Sequence, residues 1–410
     1  MRCLLGLVGC LSLAAADVSQ LRPLLEKDRI FQLREVLQQP GWNDTETLLY
    51  RAVVESRFGH ETSGIDDLRK FLAVPAKPEL ERKAYEELAS ALVRMGRYGD
   101  AADALAQALR RTPRKDPDRT DDENTRALYE ALKDVAPQTL QFGQEAPVEA
   151  KHNVLGSWDV PVEVNGVQGE WIFDTGANLS TISESEAARL GLATRETKTY
   201  VKGSTQKKNP LRLAVARELR FGGAVVNSVV LLMIPDQSLY IGPMKYQISG
   251  ILGLPVLRAL GSVGISAKGE VRFGIKDAPA QAESNLSFEE LGVLVEAQHA
   301  GHPLQMVLDT GANTTSTYPS VRDALTKEEI SRLTTKRDKR GGAGGIVIEK
   351  VQLIPVLPLD VLERTLDLPK ISLLPKDPGG NHHFHDGVLG MDGLAGGFAL
   401  DFHNMQLRLD

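Results

Sequence analysis

The chain has 410 residues, more than one hydrophobic core ordinarily organises, so two or three domains are expected. Hydrophobic residues make up 42% and charged residues 25%, which excludes a chain disordered along its whole length. A net charge of -6 gives no general pull toward nucleic acid, and past the N-terminus no apolar run reaches the length of a membrane helix.

Residues Met1 to Ala16 read MRCLLGLVGCLSLAAA. Arg2 precedes an apolar stretch, and Ala14, Ala15 and Ala16 offer a small-residue cleavage site, the pattern of a secretory signal over 1–16. Export to the periplasm or the medium is expected. Leu7-Val8-Gly9-Cys10 resembles a bacterial lipoprotein cleavage box, so a lipid anchor at Cys10 is the second choice. Cys3 and Cys10 are the only cysteines. The body of the chain therefore has no disulfide scaffold, no Cys-ligated zinc and no cysteine nucleophile.

Residues 17–136 follow a helical period. Tyr85, Leu88, Ala89 and Leu92 line one helix, Gly96 and Tyr98 mark a turn, and Ala101, Leu105 and Ala108 line a second helix that stops at Pro113. That spacing resembles a tetratricopeptide repeat. Thr47 to Leu72, with Gly59 near its turn, resembles a degraded second unit, and Arg29 to Gln39 half of another. One such unit cannot bury its own face, so neighbours must stack on it. A surface for a protein partner and a helical prodomain both fit. Arg111 to Glu123 reads as a loop before a last helix at Asn124 to Val135, and 137–152 as a linker.

From about 153 the pattern changes to short strands with Gly-rich turns, and it repeats itself. Trp171-Ile172-Phe173-Asp174-Thr175-Gly176-Ala177-Asn178 is matched by Met306-Val307-Leu308-Asp309-Thr310-Gly311-Ala312-Asn313, 135 residues on. Gly250-Ile251-Leu252-Gly253 is matched by Gly387-Val388-Leu389-Gly390. A strand-built repeat of this length is one lobe duplicated, 153–280 and 281–410.

Two copies of hydrophobic-hydrophobic-Asp-Thr-Gly, each followed at a matched distance by hydrophobic-hydrophobic-Gly, resemble the aspartic proteases. The Asp-Thr-Gly-Ala form is closer to the retropepsin-like branch and its bacterial relatives than to pepsin. The resemblance covers about Asn153 to Asp410 and implies a bilobal β fold behind the helical-hairpin domain, with Asp174 and Asp309 as the catalytic pair of an endopeptidase. It implies that Thr175 and Thr310 cross-link the two loops, and that Gly176 and Gly311 allow close backbone approach. Gly253 and Gly390 would let a strand pass beneath each loop. Two carboxylates that close cannot both ionise, so one activates a water and the other hydrogen-bonds the scissile carbonyl, with no cofactor, metal or covalent intermediate. Ala177 and Ala312 stand where pepsin-like relatives often carry a hydroxyl. Its loss implies a higher apparent pKa and activity nearer neutral.

The family closes its cleft with β-hairpin flaps, and the candidates are Tyr200–Asn209 with Gly203 and Lys336–Ile346 with Gly342. Both are basic, which reads as solvated loop chemistry. His382, His383, His385 and Asp386 form the one histidine cluster. The first lobe has no counterpart, so no metal is expected there and Asp386 reads as local structure. The expected partner is a polypeptide substrate, and one lobe pair per chain points to a monomer. The competing reading is a catalytically silent peptide-binding or scaffold protein.

Overall fold

The computed structural model describes residues 18–42, 45–143, 147–202, 208–274, 284–342, 345–377 and 385–410. The signal-like segment 1–16 with Cys10, the flap glycine Gly203, and His382 and His383 lie outside them. Among the described residues, no helix is long and apolar enough to cross a membrane.

The helical period resolves into α1 (Leu21–Glu26), α2 (Ile30–Leu37), α3 (Thr45–Arg57), α4 (Glu61–Leu72), α5 (Pro78–Arg94), α6 (Tyr98–Arg111) and α7 (Arg119–Ala131). The turns fall at the expected glycines: Gly59 has φ +89° and Gly96 φ +71°, a conformation that other residues adopt only with strain. Helix α4 lies so close on α3 that a Cβ on Gly64 would come within 2.7 Å of Ser56. Helix α7 begins five residues before the expected start, at Arg119 instead of Asn124. Asp121 and Asp122 sit in its first turn, where the helix dipole favours acidic side chains.

Besides a small two-stranded sheet, Tyr240–Ile241 with Tyr246–Gln247, the described β region forms two large sheets and a third that joins them. In the first lobe the strand order runs Thr139–Phe142, Ala224–Ile234, Ser180–Ser183, Gly250–Leu252, Val167–Phe173, Trp158–Val164, Lys208–Phe221, Thr194–Lys202. In the second it runs Leu286–Glu289, Gly292–His299, His302–Leu308, Gly387–Leu389, Ser316–Thr317, Arg364–Leu373, Gly345–Val361, Thr334–Gly342. The stretch expected as a linker, 137–152, is instead built into the sheets. Thr139–Phe142 pairs with Ala224–Asn227, Lys151–His152 with Trp158–Asp159, and Val148–Glu149 with Glu270–Val271.

A five-stranded sheet takes Val148–Glu149, Glu270–Phe273 and Ser262–Ser266 from the first half and Gly397–Asp401 and Gln406–Leu409 from the second. Its seam is Ser262–Ser266 against Gly397–Asp401. One continuous core runs across that seam: Phe173 of the first lobe meets Phe398 of the second edge-on at 6.1 Å, both fully buried. Each such ring contributes about 2–3 kcal/mol by leaving water. The lobes are thereby fixed to each other as well as within themselves.

Candidate active site

Each Asp-Thr-Gly loop leaves the end of a strand that has a parallel neighbour. Ile172 and Phe173 pair with Ile251 and Leu252, and Met306 to Leu308 pair with Gly387 to Leu389. Buried parallel strands need apolar side chains on both faces, which is why an apolar run precedes each aspartate. The Asp174 N–H donates to the Leu252 carbonyl and the Asp309 N–H to the Leu389 carbonyl, both at 3.1 Å. Just past the neighbouring strand, the loop is closed again by Leu254 N–H on the Ala177 carbonyl and Met391 N–H on the Ala312 carbonyl. A Cβ on Gly253 would stand 2.7 Å from the Leu179 carbonyl carbon, and one on Gly390 2.7 Å from that of Thr314. Both glycines are thus required by the approach of the catalytic loop.

The two loops meet through their threonines. The Thr175 hydroxyl donates to the Leu308 carbonyl at 2.7 Å and accepts from the Thr310 N–H at 3.1 Å. The Thr310 hydroxyl donates to the Phe173 carbonyl at 3.0 Å and accepts from the Thr175 N–H at 3.0 Å. Both threonines are fully buried, so four bonds cross the lobe boundary without competition from water. Gly176 and Gly311 lie against the opposite lobe's carboxylate: an added Cβ would be 2.6 Å from Asp309 Cγ in the first case and 2.5 Å from Asp174 Cγ in the second.

This crossing sets each carboxyl beside the opposite loop's glycine, so that Asp174 and Asp309 act on each other's titration. Burial first, then the charge of Asp309, pushes the Asp174 carboxyl well above its ordinary value. Burial also raises Asp309. There it is opposed by a hydrogen bond from Asp174 and by the N–H groups of Ala312 and Gly311, at 3.0 and 2.9 Å. Asp174 is held in a similar way, by the Gly176 N–H at 2.8 Å, so the two carboxyls titrate as one pair that burial raises.

Two hydroxyls escaped the sequence reading. Ser180 Oγ accepts from Gly253 N–H at 3.0 Å, and Thr315 Oγ1 accepts from Gly390 N–H at 3.1 Å. Each stands six residues after its aspartate, a repeat visible in the sequence once sought. Asp386 was also undervalued. It is buried and accepts two bonds from Arg29 of the helical region, at 2.5 and 3.0 Å, with others from Gln305 N–H and the Ser320 hydroxyl. Of the other cluster members only His385 is described, and its Nε2 meets Glu289 at 2.6 Å.

Both flap candidates are antiparallel hairpins. Lys202 pairs with Lys208 across the first, and Gly342 with Gly345 across the second.

The aspartyl protease family model matches residues 160–256, a span that includes Asp174 and Gly253. A crystal structure of a retropepsin-like aspartic protease from Rickettsia conorii is similar at 17% identity, over 33% of this chain and 94% of that one, with a TM-score of 0.25. No curated protein matches the chain. With its two β lobes and that family match, the chain carries an aspartic-protease fold behind an N-terminal helical region.

Proposed function

We propose that this chain is an aspartic endopeptidase in which Asp174 and Asp309 act as one unit on a water molecule. The observation that carries the proposal is the pairing of the two carboxylates where the threonine-linked loops cross. Asp309, ionised and held by two N–H groups, takes a proton from water as it attacks the peptide carbonyl. Asp174, protonated by burial and by its neighbour's charge, donates to the carbonyl oxygen as charge develops there. The amine leaves with a proton returned by the pair. Every step uses groups of this chain and water.

The test is a digest of proteome-derived peptides across pH, comparing wild type with Asp174→Asn. The amide keeps the shape and removes the shared proton. Cleavage should fall on the order of a thousandfold or more, since members of a catalytic unit fail together. Equal cleavage by both proteins would remove the proposal, and no cleavage by either would leave the peptide-binding reading in its place. Export of the chain, and a protein partner for its helices, are further proposals that rest on the sequence alone.

A further inference from the structure

The first-lobe hairpin, Thr194–Lys202 with Lys208–Phe221, has its outer strand at the edge of the sheet. An edge strand leaves N–H and C=O groups unpaired on one side. Here helix α7 fills that side at Tyr200. The Asn124 side chain accepts from the Tyr200 N–H at 3.0 Å and donates to the Tyr200 carbonyl at 3.0 Å, as a neighbouring strand would. Asp121, one turn earlier, accepts from the Tyr200 hydroxyl at 2.5 Å and from the Lys202 ammonium. From the end of the helix, the Ala131 carbonyl accepts from Arg195.

The place of contact matters. The pairing of the two hairpin strands shifts register between Glu196 and Tyr200. A bulge of this kind bends a strand and interrupts its ladder. It separates the hairpin's outer half, Tyr200 to Lys202 on Lys208 to Pro210, from the inner half, Thr194 to Glu196 on Arg212 to Ala214. Asn124 and Asp121 grip the outer half, while the Ala131 carbonyl grips the inner one. One helix therefore spans the bend. The second-lobe hairpin is tied within its own lobe, by Ser372 Oγ on Asp338 at 2.7 Å and by the Arg340–Glu349 ion pair.

We infer that α7 is a brace for the first flap, and that Asn124 and Asp121 are positioning residues that set how this hairpin meets a bound peptide. The inference rests on the peptidase reading for its kinetic consequence but not for its structural one. It gives the helical region a role in the reaction: whatever binds or shifts α7 shifts the flap.

Hydrogen exchange on the full chain without substrate reads the brace directly. In Asn124→Ala, amides of Val201, Lys202, Asn209, Leu211 and Arg212 should exchange at least about tenfold faster, with the second-lobe hairpin 334–342 unchanged as the folding control. Asn124→Asp keeps the acceptor, loses the donor, and should fall between. With peptide substrate, KM should rise roughly fivefold or more while kcat stays within about twofold. In Asp121→Lys the KM should rise as well, and adding Lys202→Asp should recover most of it, which a merely structural role would not give. Unchanged exchange in Asn124→Ala would overturn the brace even if no peptide is ever cut. Faster exchange with unchanged kcat/KM would overturn the positioning role. Faster exchange with increased cleavage would overturn it too, and would make α7 an inhibitory cover.

Discussion

The two lobes repeat one apparatus but are secured to the helical region differently. Their catalytic loops correspond almost bond for bond: aspartate N–H on a leucine carbonyl, threonine across the boundary, a hydroxyl six residues on receiving a glycine N–H. The residue ahead of the supporting strand breaks the symmetry. In the first lobe it is Ser249, whose carbonyl accepts from Ser183 N–H. In the second it is Asp386, a buried carboxylate neutralised by Arg29 from the start of α2. The first lobe instead meets the helices at its flap and through Arg258, which donates to Glu61 at 2.7 Å and to the Arg94 carbonyl at 2.6 Å. The Asp-Thr-Gly apparatus is duplicated, and the attachments of the helical region are not.

The largest expected effect tests the second attachment. Only 2% of the Asp386 side chain is exposed, so Arg29→Ala would leave a buried charge without its partner. Such losses cost about 3 kcal/mol or more. Chemical denaturation should show that loss, and Asp386→Ser should recover much of it when added to Arg29→Ala, because the first lobe functions with serine at this place. A double variant no more stable than Arg29→Ala would mean that Asp386 serves its lobe through Gln305 and Ser320, with Arg29 incidental.

A middling effect tests the symmetry of the threonine link. Thr175→Val removes the donor to the Leu308 carbonyl and leaves the buried Thr310 N–H without an acceptor. Thr310→Val does the same to the Phe173 carbonyl and the Thr175 N–H. Each should cost about 1–3 kcal/mol, the range for orphaning a buried polar group, and the two costs should agree closely. Thr→Ser at either position keeps the hydroxyl and should cost far less. Thermal denaturation of the four variants checks this. A large inequality between the valine variants would show that one lobe, not the crossing, carries the link.

The two Asp-Thr-Gly loops, with their threonines and glycines, were legible because they are local motifs, written twice. The helical hairpins were legible through their period and their turn glycines, Gly59 and Gly96. The stretch 137–152 was not, because its strands are two to four residues long and take their pairing from partners far along the chain, such as Ala224 and Glu270. Asp386 with Arg29 was hidden for the same reason: an ion pair 357 residues apart has no sequence pattern. Asn124 looked like a helix start and is a side chain occupied with an edge strand.

The smallest effects separate the two aspartates. In the proposed mechanism Asp174 is protonated and Asp309 ionised, so the acid limb of kcat/KM should follow Asp309 and the basic limb Asp174. With Asp174 raised well above the usual carboxylate range, the basic limb lies toward neutral pH, and a wild-type profile peaking only below about pH 3 would contradict the assignment. Ala312→Ser adds a hydroxyl beside the N–H that already bonds Asp309. It should favour the ionised form, lower that pKa, and move the acid limb down by roughly half to one pH unit. Ala177→Ser should favour ionisation of Asp174 and move the basic limb down by a similar amount, narrowing the active range where the first variant widens it. If both variants move the same limb, the proton is not localised on Asp174, and the two lobes are equivalent in charge as well as in backbone.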